Sequence, residues 1–418
     1  MTSVQSVLAA FGIILIDLLG RAGLDKVLAI AGDPTVVAHW AQLQSVVELV
    51  SAVALAGVLQ GLTVLITQLR SLRDERSLLS AALKLGLGTS LAVALVVLMV
   101  VSWVRGEIKS ELFMLAALAG CIAVIPATFN AYWLGKHQQQ RMLGLALLTS
   151  TVLLMVAAGA WLGMPLRGLM LVQCFVLLII GSMIWRYLGK LTGSKLSRAG
   201  DGQADETQYL HKLVNFVPVG LAIGIMSPVS MLLIRGTLAD SLSWSDVGFL
   251  QALWRSTEWV TATAAGVLSL VYLPRFSATH GSAQFKQEMM RAGMTVLIPA
   301  ACLLLLIYLN QRAMLATLYD TRFSVSDGTA ALFMLGSWIR IASWLFLFGL
   351  FSAHRTRLIM AGEVFSLPLY VMLLCLFADG MTLERSAMLY LASYLVYLGF
   401  NAFALLYSAR KITTISGR

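Results

Sequence analysis

The chain has 418 residues, 59% of them hydrophobic and 12% charged, with a formal net charge of +10. Soluble domains average about half apolar and a quarter charged, so this composition excludes an ordinary soluble enzyme and describes an all-α membrane protein. The excess of Lys and Arg is a topology signal here, because it follows the loops between apolar runs and gives no support to nucleic-acid binding.

Apolar runs between polar punctuation predict twelve helices, over 4–31, 36–69, 78–104, 111–135, 142–162, 168–189, 209–235, 246–274, 285–310, 327–353, 357–378 and 385–409. Runs such as Leu143 to Ala160 and Leu169 to Ile184 carry no charge and lack the alternation of a porin strand. The first run has no basic segment ahead of it and contains Asp17, Arg21, Asp25 and Lys26, which predicts a retained first helix. Loop charges divide 18 against 7 between alternate sides, with Arg235 counted among the seven and five of the 30 Lys and Arg left inside helices. An even helix count with this bias predicts both termini in the cytoplasm.

The longest polar stretch, 191–208, has linker composition and separates an expected six-helix bundle over 1–190 from a second over 209–418. Ala56-Gly57-Val58-Leu59 in helix two recurs as Ala265-Gly266-Val267-Leu268 in helix eight, each preceded by a carboxylate, Glu48 and Glu258. Six helices per half start both repeats on the same side, which predicts parallel repeats.

Ionisable groups within spans are costly and usually face protein or an aqueous cavity. Asp17, Arg21, Glu48, Arg255, Glu258 and Arg340 fall nearest mid-membrane at about 1.5 Å per residue. Asp17, Arg21 and Asp25 share one face of helix one, either as a polar stripe or as a ladder that neutralises itself. Arg255 and Glu258 can pair within helix eight, as an anchor or as a switch in which an anionic ligand displaces the carboxylate. Arg340 has no carboxylate within a turn on its own helix and needs a partner elsewhere. Lys26 and Lys84 lie where a lysine can snorkel, and Glu363 can pair with Arg355 and Arg357 of the neighbouring loop. Pro126, Pro218, Pro228, Pro299 and Pro368 mark bends. The four cysteines lie in apolar runs and the five histidines at helix ends, with no metal-ligand spacing. No phosphate-binding loop occurs, so the powered option is coupling to H+ or Na+ through Asp17, Glu48 or Glu258, with no cofactor.

From Leu213 to Phe276 the sequence resembles Wzx-type O-antigen and lipid III translocases of the multidrug/oligosaccharidyl-lipid/polysaccharide (MOP) exporter superfamily. The matching residues are Ser227-Pro228, Ile234-Arg235, Ser243-Trp244, Asp246-Val247-Gly248, Gln251-Ala252-Leu253-Trp254-Arg255-Ser256, Glu258 and Tyr272-Leu273-Pro274. Looser matches run through Asp25-Lys26-Val27-Leu28-Ala29, Gly57 with Gln60-Gly61, Leu335-Gly336 with Arg340, and Glu363. The resemblance implies the MOP exporter fold around a central cavity in the bacterial inner membrane. It implies flipping of undecaprenyl-pyrophosphate-linked oligosaccharide to the periplasmic leaflet by alternating access, a transporter and not an enzyme. The expected partners are the lipid-linked oligosaccharide, membrane lipids, and glycan polymerase and chain-length regulator proteins. Lys26, Arg255 and Arg340 are the cationic positions carried over, with Arg21 added from its depth and its place on the polar stripe of helix one. Asp17 and Arg21 have no counterpart in the family pattern, and Ser337 stands where an acidic residue is common. The rival readings are a cation-coupled drug or metabolite exporter of the same fold, and a membrane glycan polymerase or glycosyltransferase. Short non-cytoplasmic loops count against the second.

Overall fold

The computed structural model describes residues 3–69, 71–103, 108–136, 138–193, 206–214, 217, 224–279, 283–353 and 355–416. All regular structure among them is helical. Nine described helical segments are long and apolar enough to cross a membrane.

Contacts divide the chain into two units, one of residues 1–31 and 39–229 and the other of 32–38 and 230–418. The first unit holds α1 (Ser3–Ala31), most of α2 (Pro34–Ala54), α3 (Val58–Gln68), α4 (Leu72–Trp103), α5 (Ser110–Gly135), α6 (Gln139–Trp161), α7 (Leu166–Gly193) and α8 (Glu206–Val214). α5 is its central element, packed by α3, α4, α6 and α7. α8 docks on α3 and α4 through Tyr209 and Leu213, so the first part of expected helix seven belongs to this unit. Most of the expected linker lies outside the described residues, as does Pro218.

Helix two is not the continuous rod expected over 36–69. Gly57 adopts φ 72°, a left-handed conformation open to glycine at little cost, and the chain turns between Ala54 and Val58. The second copy of the same tetrapeptide behaves differently, because Gly266 stays helical.

The second unit contains α9 (Met226–Ser241), most of it after residue 229, and α10 (Trp244–Val267), α11 (Leu273–Thr279), α12 (Ala283–Ala292), α13 (Ile298–Leu309) and α14 (Gln311–Leu318). It is completed by α15 (Asp327–Ser352), α16 (Thr356–Glu363), α17 (Leu367–Leu376) and α18 (Leu383–Ser416), with α15 and α18 forming its main helix pair. Gly336 brings them together, since a Cβ there would stand 2.6 Å from the Tyr390 ring. Helix eleven breaks into α16 and α17 because Pro368, just inside α17, has no N–H for the carbonyl of Val364.

Two π turns, Leu268–Tyr272 and Gly293–Leu297, interrupt expected helices eight and nine. Each precedes a proline by a residue or two, Pro274 or Pro299, whose missing N–H would have closed an ordinary turn. In the first, Leu273 N–H reaches back five residues to Leu268. In the second, Trp338 Nε1 of α15 donates to the Leu297 carbonyl at 3.0 Å. The Tyr272 hydroxyl and Thr295 Oγ1 join the two π turns at 2.5 Å.

Candidate functional site

In the second unit the deep charges converge on one aromatic wall. Arg340 is the fourteenth of the 26 residues of α15 and Arg255 the twelfth of the 24 of α10, so both sit at mid-helix. Phe333 stacks on Tyr390 of α18 at 4.5 Å, and Trp254 packs edge-on against both. This wedge fixes α10 against α15 and α18 and so sets the position of Arg255. Arg255 Nη1 lies 2.5 Å from Glu258 Oε2, one turn along, with the side chains 17% and 33% exposed. The pair expected from spacing is therefore formed.

Arg340 finds its partners across the helix interface. Its guanidinium lies over Trp344 at 4.7 Å and over Tyr394 at 5.7 Å, donates a hydrogen bond to Tyr390, and has Glu258 as a further electrostatic neighbour. Among the described residues no carboxylate is in ion-pair contact with it. Glu363, at the end of α16, accepts a hydrogen bond from Tyr397 at 2.8 Å and lies near Ser366 Oγ at 3.4 Å. It faces Arg340 rather than the basic loop residues Arg355 and Arg357, which corrects the expectation. Ser337 is buried, with its hydroxyl bonded to the Phe333 carbonyl and 3.5 Å from the Tyr390 hydroxyl.

Sequence reasoning passed over the tyrosines. Tyr390, Tyr394 and Tyr397 recur at helical spacing on α18, and with Tyr370 of α17 they form a buried column of rings. Tyr370 bonds Ser386 at 2.6 Å, and Asn401, one turn beyond Tyr397, donates to Ser343 at 2.9 Å. The i, i+4, i+7, i+11 pattern was available in the sequence as one polar-tipped face. Arg235 was misplaced as a loop residue because helix seven was ended at 235. It lies inside α9, 6% exposed, and its Nη2 donates to Gln251 Oε1 at 2.9 Å.

In the first unit Arg21 of α1 reaches Glu48 of α2 at 3.4 Å, with side chains 35% and 52% exposed. Substrate-binding and ion-coupling positions expected to act separately are thus one pair. Asp25 is buried and Lys26 partly so, while the side chain of Asp17 lies outside the described residues. Lys84 is exposed. Gln44 and Gln173 bond each other between α2 and α7, at 2.8 and 3.2 Å. Near the start of α4, Glu75 is buried with Lys136 and Tyr132 as partners.

No cluster of three or more metal-ligating side chains occurs among the described residues.

No family model and no curated protein matches this sequence. Solved structures do. An inward-facing multidrug resistance transporter of the MATE family, within the MOP superfamily, aligns with a TM-score of 0.69 at 10% identity over 97% of this chain and 96% of that one. An outward-facing MATE transporter aligns with a TM-score of 0.64 at 10% identity over 100% and 96%. A MOP superfamily transporter from Pyrococcus furiosus, described as having a binding pocket of reverse polarity that suggests a different function, aligns with a TM-score of 0.64 at 11% identity over 99% and 96%. The chain shares the fold of these transporters, and nine of its described helical segments are long and apolar enough to cross a membrane.

Proposed function

We propose that this protein flips a lipid-linked oligosaccharide across the bacterial inner membrane by alternating access. Its pyrophosphate would be received by Arg255 and Arg340, and the glycan polymerase and chain-length regulators would act on the product. The observation that carries this reading is the setting of Arg340. A guanidinium at mid-helix, held by the faces of Trp344 and Tyr394 and by a hydrogen bond to Tyr390 instead of a contacting carboxylate, can exchange a neutral phenol for an anionic ligand. Arg255 is the second cation, and Glu258 is its displaceable partner. A pyrophosphate with attached sugars cannot cross hydrocarbon unaided, and charge-assisted bonds at mid-depth offset its lost hydration. The Leu213 to Phe276 resemblance points the same way, and a MOP neighbour is described as having a binding pocket of reverse polarity that suggests a different function.

Arg21, with Lys26 beside it, would be the cationic counterpart in the first unit, and protonation of Glu48 or Glu258 would release the paired arginine for the substrate. One observation favours a second reading, an H+- or Na+-coupled exporter of a small molecule. Arg21 and Arg255 are each matched by a carboxylate, which leaves their surroundings near neutral.

The two readings separate in proteoliposomes loaded with fluorescent polyprenyl-pyrophosphate oligosaccharide. Flipping by the wild type, reduced at least tenfold by Arg255→Ala and Arg340→Ala at equal protein level, supports translocation. No flipping by the wild type, or full flipping by both variants, rejects it.

A further inference from the structure

Away from the arginine site, the second unit carries an apolar groove joined to a polar mouth. α13 ends at Leu309, and the chain turns at Asn310 into the eight-residue α14. Met314 and Leu318 of α14, Leu306 of α13 and Trp259 of α10 border an open groove of about 620 Å³. Leu306 and Leu309 are 58% and 69% exposed, on a segment, Gln284–Leu309, that is long and apolar enough to span a membrane. This flank therefore meets the acyl phase of a bilayer.

Beside it, sharing Asn310 and Ala313, is a second depression of about 450 Å³ that contains Gln311, Arg312 and Asp327. Arg312 Nη2 lies 3.4 Å from each Asp327 oxygen, and Gln311 Nε2 donates to Oδ1 at 2.7 Å. The two charged side chains remain 82% and 59% exposed. Such a pair contributes little to folding. It presents a cation and an anion side by side at the open end of an apolar groove, which is the complement of a zwitterionic headgroup above an acyl chain.

We propose that this is a binding site for one aminophospholipid. Its phosphate would lie on Arg312, its primary ammonium would donate to Asp327, and one acyl chain would run past Leu306 and Met314 toward Trp259. The charges select this headgroup over its relatives. A net-anionic lipid would set uncompensated negative charge against Asp327, and a quaternary choline has no N–H to donate to it. The volume lies within the range of small-molecule clefts, roughly 300–1,000 Å³.

The test uses the full chain in nanodiscs of phosphatidylethanolamine, phosphatidylcholine or phosphatidylglycerol with identical acyl chains, followed by intact-complex mass spectrometry of retained lipid. The expected result is one retained phosphatidylethanolamine, favoured roughly three- to fivefold over phosphatidylcholine, as suits an exposed charge contact. Asp327→Asn and Arg312→Gln should remove that preference, and Ala313→Trp should evict the lipid by filling the ground shared by groove and mouth. Equal retention of all three lipids, a preference for phosphatidylglycerol, or an unchanged preference in both charge variants would overturn the proposal. Since Asp327 opens α15, Arg312→Gln is the variant free of any capping effect and decides the outcome alone if Asp327→Asn fails to fold.

Discussion

Arg340 offers the sharpest quantitative test, because its partners are rings. A cation over an aromatic face contributes about 0.5–1 kcal/mol when exposed and about 2 kcal/mol or more when desolvated. Trp344 is one turn along the same helix at 4.7 Å, and Tyr394 is on α18 at 5.7 Å. The nearer ring, at mid-helix, is assigned about 1–2 kcal/mol of coupling with Arg340 and the farther ring about half that. The perturbation is a double-mutant cycle of Arg340→Met and Trp344→Leu in the full chain, read by thermal unfolding in nanodiscs. At about 2–4 °C per kcal/mol for a unit of some 200 residues, the double variant should unfold several degrees higher than the two single losses summed would place it. Losses that add to within about 0.3 kcal/mol would refute the claim that the rings hold the guanidinium, and with it the setting on which the reading of Arg340 as a ligand site rests.

Gly248→Ala should destabilise the second unit by about 1–3 kcal/mol or more, since its Cβ would fall 2.1 Å from the Pro34 carbonyl oxygen. Gly144→Ala, in a helix with nothing within 4 Å of the added carbon, should raise stability by about 0.5–1 kcal/mol, and the pair of thermal midpoints checks both signs. Glu48→Gln removes an ion pair whose partners are 35% and 52% exposed, so it should lower stability by less than about 1 kcal/mol. If the same variant changes the pH dependence of flipping in liposomes, Glu48 acts in coupling; an unaltered pH profile assigns it to packing.

The helix positions were legible because apolar runs and polar punctuation are local properties. Helix ten, expected over 327–353, is α15 over Asp327–Ser352, which opens with Ser326 capping the Thr329 N–H. What stayed hidden was how helices are interrupted. Gly57 breaks its helix while Gly266, in the same tetrapeptide, does not, so the difference is made by surroundings and not by the four residues. Pro274 and Pro299 were visible, but whether a proline produces a kink, a break or a π turn depends on what takes up the freed carbonyl. At the second π turn the Leu297 carbonyl is taken by Trp338, which is 41 residues away in the chain. The arginines of the site were found because charge at depth is costly whatever its partners. Their partners were legible only within one helix. Arg255 and Glu258 announced each other by spacing, whereas Arg21 with Glu48 and Arg340 with Tyr394 are pairings of tertiary structure.

The paired π turns carry a bookkeeping consequence along the chain. A π turn is the trace of one surplus residue wound into a helix, and each residue advances an α-helix by about 1.5 Å and about 100°. Two surpluses joined by the Tyr272 to Thr295 hydrogen bond keep the flanking segments α11 and α12 in step. Loss of one residue from either helix alone would rotate every side chain beyond it onto a new face, whereas a matched loss from both would preserve the pairing. Insertions and deletions at these two places are therefore coupled, and relatives of this protein should carry both surpluses or neither.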